Sequence, residues 1–420
     1  MSCRLEKPVL LQQRKSPCRL KQVCLSFLLF IMSLCLQPVS VLAESAQTSE
    51  SPWLRHTIDN TARGADGIRF ADVNGDALPD GVTGWEEAGI VRVYLHPGLE
   101  RVRDPWPAVT VGKTPSVEDA VLIDLDQDGN CDVVSCCEGR ERSVFVHWAP
   151  TEADCLSPPA WRMEAFPELR GKQQFMFCQP AQIDLANGID LIIGGKGPGA
   201  ELGWLQSPDN PKDVAAWRWH SFRPVGWIMS IVTSDMDGDG DLDILFSDRK
   251  GPRRGCYWLE QPQDPIKASW PEHAIGCQDV EPMFLCLANL DGTKCVVCVT
   301  AENGINIMRA EDSKCFTWRS ERIPMPEQAG TGKAVAICDI DMDGDQDLVI
   351  SCEHAQGKSG VFWLSRKGQG QWIFHDVSGP EGIKFDLVQP VDLDGDGDLD
   401  LVTTEEQAGL GVVWYENPHR

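Results

Sequence analysis

One pattern recurs seven times along this chain: an apolar strand, an Asp-rich loop, a second apolar strand, a turn, and a strand carrying Trp or Tyr. The loops begin at Asp72, Asp124, Asp184, Asp235, Asn289, Asp339 and Asp392, in steps of 52, 60, 51, 54, 50 and 53 residues. A repeat of about 50 residues has room for four short strands, and seven such units match the arithmetic of a ring of blades rather than an open stack. The runs after the loops, such as Asp243-Ile-Leu-Phe-Ser247 and Asp400-Leu-Val-Thr-Thr404, are short, rich in branched side chains and bounded by turn residues, so they read as strands. Beyond Ala43 there is no amphipathic stretch long enough for a helix of several turns.

Two further landmarks fix the order of strands. A Trp/Tyr strand ends in a polar-Pro turn, as in Tyr257-Trp-Leu-Glu-Gln-Pro262 and Trp414-Tyr-Glu-Asn-Pro418. An outer strand of the form Trp-x-x-His/Glu follows, as in Trp217–His220, Trp270–His273, Trp318–Glu321 and Trp372–His375. The last unit stops at Pro418-His-Arg420 without its outer strand, while the N-terminal side supplies a spare one, Trp53-Leu-Arg-His56. The first strand is therefore expected to complete the last blade, which removes two open sheet edges and locks the ring. The expected fold is all-β: a seven-bladed β-propeller with four-stranded blades, occupying residues 44–420.

Five loops carry acidic or amide side chains at positions 1, 3, 5 and 9. They are Asp72/Asn74/Asp76/Asp80, Asp124/Asp126/Asp128/Asp132, Asp235/Asp237/Asp239/Asp243, Asp339/Asp341/Asp343/Asp347 and Asp392/Asp394/Asp396/Asp400. Alternate residues on a tightly turned loop are expected to aim their oxygens inward. Interleaved glycines such as Gly238, Gly344 and Gly395 permit the positive φ of such a turn. Hard carboxylate oxygens without His or Cys suit Ca²⁺, with the carbonyl at position 7 as a further donor. An EF-hand needs Glu at position 12 and then a helix; position 12 here is Phe246, Ile350 or Thr403, inside a strand. Folding brings these carboxylates together at a repulsive cost of about 1–4 kcal/mol per close pair, so about five calcium sites are expected. The loop at Asp184 is two residues shorter, and the one at Asn289 gains Lys294, so neither is expected to bind metal.

The five Asp loops and the strand ends of the type Trp-Tyr-Glu-Asn-Pro resemble the FG-GAP/VCBS repeat family, including integrin-α propellers, over nearly the whole chain after its N-terminal segment. The resemblance implies a rigid extracellular scaffold with calcium in the turns between first and second strands, and ligands on the opposite face.

On that opposite face lie the turns after each second strand. Counting six residues on from loop position 9, or its equivalent, gives Glu86, Glu138, Lys196, Arg249, Glu302, Glu353 and Glu406. These charges, with His354 beside them, are expected to ring the axial opening; Lys250, Arg253, Arg254, Trp85 and Trp227 lie near them in sequence. The functional reading is a polar pocket for a sugar or a peptide, with Trp85 or Trp227 as a stacking surface. The competing reading is a solvated rim of neutralising pairs. The repeat-bound Trp204, Trp258, Trp363 and Trp414 read as blade packing instead.

Composition narrows the partners. A net charge of −25 argues against nucleic acid, whose phosphates need a basic surface. Residues 1–43 read as a signal peptide: Arg14, Lys15, Arg19 and Lys21, an apolar run from Val23 to Leu36, and a small-residue end at Ala43. That predicts a secreted, periplasmic or cell-surface protein with no membrane span after cleavage. Thirteen cysteines follow Ala43, most within apolar strands, where Cys serves as a small hydrophobe. Cys295 and Cys298 have a CxxC spacing, but neighbouring strand residues face opposite sides and no second pair completes a zinc site. No Gly-x-Ser-x-Gly elbow and no phosphate loop is present. The expected function is a non-catalytic binding or adhesion module for glycan or extracellular protein. The alternative is a carbohydrate-active enzyme on the same scaffold, like a polysaccharide lyase or a sugar dehydratase.

Overall fold

The computed structural model describes residues 52–368 and 370–419; the expected signal peptide lies outside them. These residues form seven four-stranded antiparallel sheets. The innermost strands of blades 1 to 7 are Ala65–Ala71, Val117–Ile123, Gln174–Ala181, Ile228–Ser234, Pro282–Leu290, Thr331–Cys338 and Phe385–Val391. Each packs against the innermost strand of the next blade, and the first packs against the seventh, so the ring is closed. Only two short 3₁₀ turns, Glu152–Asp154 and Pro158–Ala160, interrupt the all-β pattern among the described residues.

Closure follows the expected route. The N-terminal strand Leu54–Asp59 pairs antiparallel with Gly411–Glu416, in the register Leu54↔Glu416 to Thr57↔Val413. It is the outer strand of blade 7.

Burial follows position within a blade. The second strands, such as Asp132–Cys137 and Asp400–Glu405, are buried along their whole length because a blade lies on each side. Outer strands, such as Trp318–Pro324, face solvent. The apolar clusters straddle blade interfaces; one joins Val402, Val412 and Trp414 of blade 7 to Ile68, Trp85 and Tyr94 of blade 1. The Trp-x-x-His pattern has a direct structural meaning. In four blades the third-strand Trp stacks on the His opposite it on the outer strand: Trp204 on His220, Trp258 on His273, Trp363 on His375 and Trp414 on His56, at centroid distances of 4.8, 4.3, 3.8 and 4.5 Å. An aromatic cross-strand pair of this kind stabilises a sheet by roughly 0.2–1 kcal/mol.

Every innermost strand carries a register shift near its start: Asp66/Arg69, Val117/Asp119, Phe175/Phe177, Ile228/Ser230, Pro282/Leu285, Gly332/Ala334 and Phe385/Val388. A bulge adds a residue to one strand and re-aims a side chain. Seven bulges at one level of a ring turn seven sets of side chains towards the axis.

Candidate functional site: an axial cavity and a ring of acidic loops

Residues at the bulges meet in one axial cavity of about 400 Å³. Gly67, Glu118, Met176, Met229, Phe284, Lys333 and Leu387 come from the bulges of blades 1 to 7 in turn. Sequence reasoning missed them, although charges inside apolar strand runs, such as Glu118, Lys333 and Asp386, were a readable signal.

The cavity is sectored. Blades 1 and 2 supply Asp66, Glu86, Glu118, Asp119 and Glu138. Blades 3 to 5 supply a largely apolar wall with Met176, Phe177, Ile228, Met229 and Phe284. Blades 6 and 7 supply Lys333, Glu353, His354, Lys384 and Asp386. Several charges are paired. Lys196 bridges Glu138 and, at 3.3 Å, Glu118. Arg69 pairs with Asp119 at 3.2 Å and lies over the Phe177 ring. Lys333 pairs with Asp386 at 3.2 Å.

Burial and crowding separate the protonation states of the carboxyl groups. Burial first, then the charges of Glu138 and Glu86 against the opposing Lys196, pushes Glu118 up to about 8. Asp66 is raised by burial and by Asp386, Glu406 and Glu118. Asp386, although buried, is held below the usual carboxylate range by Lys333 and Lys384. The cavity thus pairs a carboxyl that keeps its proton at neutral pH with one that does not.

Of the expected rim residues, Glu86, Glu138, Lys196, Arg249, Glu353 and His354 line the cavity. Glu302 and Glu406 do not. Glu302 accepts the backbone N–H of Glu281 at 3.0 Å, bracing the turn that enters blade 5. Glu406 is ion-paired with Lys384, its side chain 7% exposed, and its carboxyl clusters with those of Asp66 and Asp386. Trp85 is no stacking surface: it is fully buried, and its Nε1 donates to the Tyr94 hydroxyl at 2.8 Å. Arg253 and Arg254 turn away, to Glu272 and to the carbonyls of Gln278 and Asp279. Trp227 does line the cavity, with Lys196, Arg249 and Lys250 within 4.6–5.0 Å of its ring centre.

The Asp loops join first to second strands. Position 9 is a clamp. Its Oδ2 accepts the N–H of position 2 in all five full loops, and in blades 1, 2, 4 and 7 its Oδ1 accepts an N–H just beyond the third strand. Asp243, for example, takes Met236 at 2.7 Å and Gln261 at 2.9 Å, and Asp400 takes Leu393 and Asn417. Asp190 of the short loop does the same with Ile183 and Ser207. Burial pushes Asp80 and Asp243 up to about 6, and Asp132, Asp190, Asp347 and Asp400 up to about 7.

In two loops the oxygens crowd together as expected. Those of Asp124, Asp126 and Asp132 lie within 4.8 Å of one another, as do those of Asp235, Asp237 and Asp239. In blade 6, Asp339 Oδ1 is buried without a hydrogen-bond partner. This all-oxygen donor set fits a hard divalent cation.

Position 5 differs from position 9 in burial. Asp76, Asp128, Asp239, Asp343 and Asp396 are all exposed, whereas position 9 is buried in every full loop. Position 5 sits at the tip, where the chain reverses. There its Oδ1 accepts the N–H two residues on: Leu78 for Asp76, Asn130 for Asp128, Asp241 for Asp239, Asp345 for Asp343 and Asp398 for Asp396, at 2.8–3.1 Å. One oxygen of each is thus engaged in the turn. Blade 1 departs further. Asn74 at position 3 donates its amide to Asp76 Oδ2 at 3.0 Å and accepts the Asp76 N–H through its own oxygen. Asn74 and Asp76 therefore close on each other instead of presenting open donors, because an amide, unlike a second carboxylate, can satisfy a neighbouring carboxylate directly.

Three loops also receive a countercharge from a neighbouring blade, which the sequence reading did not foresee. Lys212 pairs with Asp126, Lys314 with Asp237 at 3.2 Å, and Arg103 with Asp394 at 2.5 Å. Part of the carboxylate repulsion in these three loops is therefore offset by protein cations.

The two degenerate loops are satisfied otherwise. In blade 3, Asp184 accepts from the Ala186 N–H and the Gln206 amide. In blade 5 the loop shrinks to a two-residue turn, Asp291-Gly292, with φ of 56° and 74°, as a tight hairpin requires. Lys294 beside it donates to the carbonyls of Asp235 and Met236 in blade 4.

Comparison with known proteins agrees with this architecture. A model of the FG-GAP-like repeat matches residues 339–403, from the Asp loop of blade 6 to the second strand of blade 7. No curated protein matches the sequence. Two solved structures, of BBS1N in complex with ARL6DN soaked with mercury or with lead, contain chains that superpose with TM-scores of 0.51 and 0.50. Identity is 9% in both; the alignments cover 87% and 88% of this chain and 97% of those chains. At that identity the likeness concerns the fold alone. Among the described residues, no helix is long and apolar enough to cross a membrane. The chain is a seven-bladed β-propeller with an FG-GAP-like repeat at residues 339–403.

Proposed function

We propose that this protein is an exported binding module that takes a polar ligand, a glycan or a peptide, in its axial cavity, and that calcium in the five full loops stiffens the opposite face. The observation that carries this reading is the convergence of seven strand bulges on one cavity holding charges of both signs beside Trp227. A pocket with an apolar wall and a few convergent polar groups is the usual form of a ligand site. Side chains at positions 1 and 3, the second oxygen of position 5 and the carbonyl at position 7 would hold each Ca²⁺. The clamp at position 9 would hold the loop in shape for it. In blade 1, Asn74 and Asp76 would first have to part, so that loop is the weakest of the five.

A glycan and peptide array probed with and without chelator tests the reading. Binding is expected, and the Arg249→Ala/Glu353→Ala double variant should lose it while keeping its melting temperature. Both side chains line the cavity, with a partly exposed or distant partner: Glu281 at 3.2 Å from Arg249 and Lys333 at 4.0 Å from Glu353. If stability falls along with binding, the rim is structural and the reading fails.

A second reading, a carbohydrate-active enzyme, is favoured by one observation: the neutral Glu118 and the ionised Asp386 in one cavity. Carboxyl groups driven apart in this way serve as acid and base in glycoside chemistry. Product analysis on any bound glycan separates the two. An unchanged glycan supports the binding module; a shortened or unsaturated one supports the enzyme.

A further inference from the structure

The sequence shows one CxxC pair, Cys295 and Cys298, and strand alternation does send these two into different apolar clusters. Cys298 meets other partners. Cys256 on the third strand of blade 4 (Gly255–Leu259) and Cys277, just beyond its outer strand (Glu272–Gly276), come together with Cys298 on the second strand of blade 5 (Thr293–Thr300). The three sulfurs lie within 4.8 Å of one another. A fourth sulfur completes the group: Met308 Sδ, on the third strand of blade 5 (Gly304–Ala310), is 3.8 Å from Cys277 Sγ.

Two backbone features shape this cluster. Cys277 has φ +64°, a left-handed conformation that residues with a Cβ rarely adopt without a compensating role. Gly276 precedes it, and a Cβ there would lie 2.5 Å from Met308 Sδ. The glycine makes the room in which the thioether approaches the thiols. Cys256, Cys298 and Met308 have no exposure, and Cys277 has 8%, which leaves it as the point of entry.

We propose that Cys256, Cys277, Cys298 and Met308 form a binding site for a thiophilic monovalent ion, Cu⁺, at the seam between blades 4 and 5. The donor set is sulfur only. Soft thiolates and thioethers select Cu(I), whereas structural zinc calls for four Cys or His ligands, and no fourth Cys or His belongs to this cluster among the described residues. Thiols that become thiolate ligands release their protons to solvent, so uptake weakens as pH falls. The site is separate from the axial cavity and from the Asp loops, and does not depend on the function proposed for either.

The test is an anaerobic titration of the reduced full chain with Cu⁺ against a chromophoric copper(I) chelator, followed by X-ray absorption on the loaded protein. The expected result is a tightly held equivalent in an all-sulfur shell, lost in Cys298→Ala, weakened in Met308→Leu, and unchanged in Cys136→Ala, which removes a buried thiol elsewhere. If Cys298→Ala does not fold, the absorption spectrum of the unmodified protein still decides. Nitrogen or oxygen ligands in that spectrum overturn the proposal. So does uptake that survives Cys298→Ala, or a disulfide joining two of the three cysteines in the purified protein.

Discussion

At the residue scale, the clearest result is the division of labour within the Asp loops. Position 9 holds backbone, position 5 shapes the exposed tip, and positions 1 and 3 gather oxygens, joined by position 9 in blade 2 and by position 5 in blade 4. Asp190 clamps a loop not expected to bind metal, so its role separates from calcium. Asp190→Ala and Asp243→Ala should each cost about 2–6 kcal/mol, because two N–H groups lose a buried acceptor at about 1–3 kcal/mol each. Urea unfolding in chelator measures this; a negligible cost for Asp190→Ala would contradict the clamp. Ala77 and Met342 occupy turn positions at φ 65° and 59° where other loops place glycine. Left-handed backbone costs an L-residue about 1–2 kcal/mol, partly offset by the added freedom of an unfolded glycine. Ala77→Gly should therefore raise stability by up to about 1 kcal/mol in the same assay.

At the scale of the element, neighbouring blades interfere with each other's loops. Lys314 sits among Asp235, Asp237 and Asp239, so it competes with a bound cation. Lys314→Met should tighten calcium binding in the blade 4 loop about two- to fivefold, the effect of an exposed charge pair worth roughly 0.5–1 kcal/mol. Calorimetric titration reads it; unchanged affinity would show that lysine and cation coexist. These cross-blade cations were not legible in the sequence, because the segments that carry them vary in length and obey no repeat. The blades themselves were legible. Strand order, the closing strand Leu54–Asp59 and the Trp–His pairs follow from a period of about 50 residues and from alternation. The bulges were not, since the residues they present, from Gly67 to Lys333, share no chemistry. Counting along the repeat therefore placed Glu302 and Glu406 on a rim they do not reach, and treated the buried Trp85 as a surface. Counting within a loop likewise found Asn74, Asp76, Asp343 and Asp396 but not their local bonds, which depend on how the tip reverses.

At the scale of the molecule, the cavity couples protonation to stability. Glu118, pushed up to about 8, and Glu406, pushed up to about 7 chiefly by burial, bind protons more tightly folded than unfolded. Their stabilising contribution is full below the ordinary Glu range and is lost as pH rises through about 7–8. Melting temperature should fall between about pH 5 and 8, and Glu118→Gln should flatten that fall; a steeper fall in the variant would contradict the assignment. The central claim concerns where a ligand goes. A crystal structure of the protein with the tightest ligand from the array tests it directly. The account predicts density in the axial cavity, against Trp227 and the charged groups around Lys333. Density on the Asp-loop face or along an outer strand, with the cavity holding only water, would contradict it.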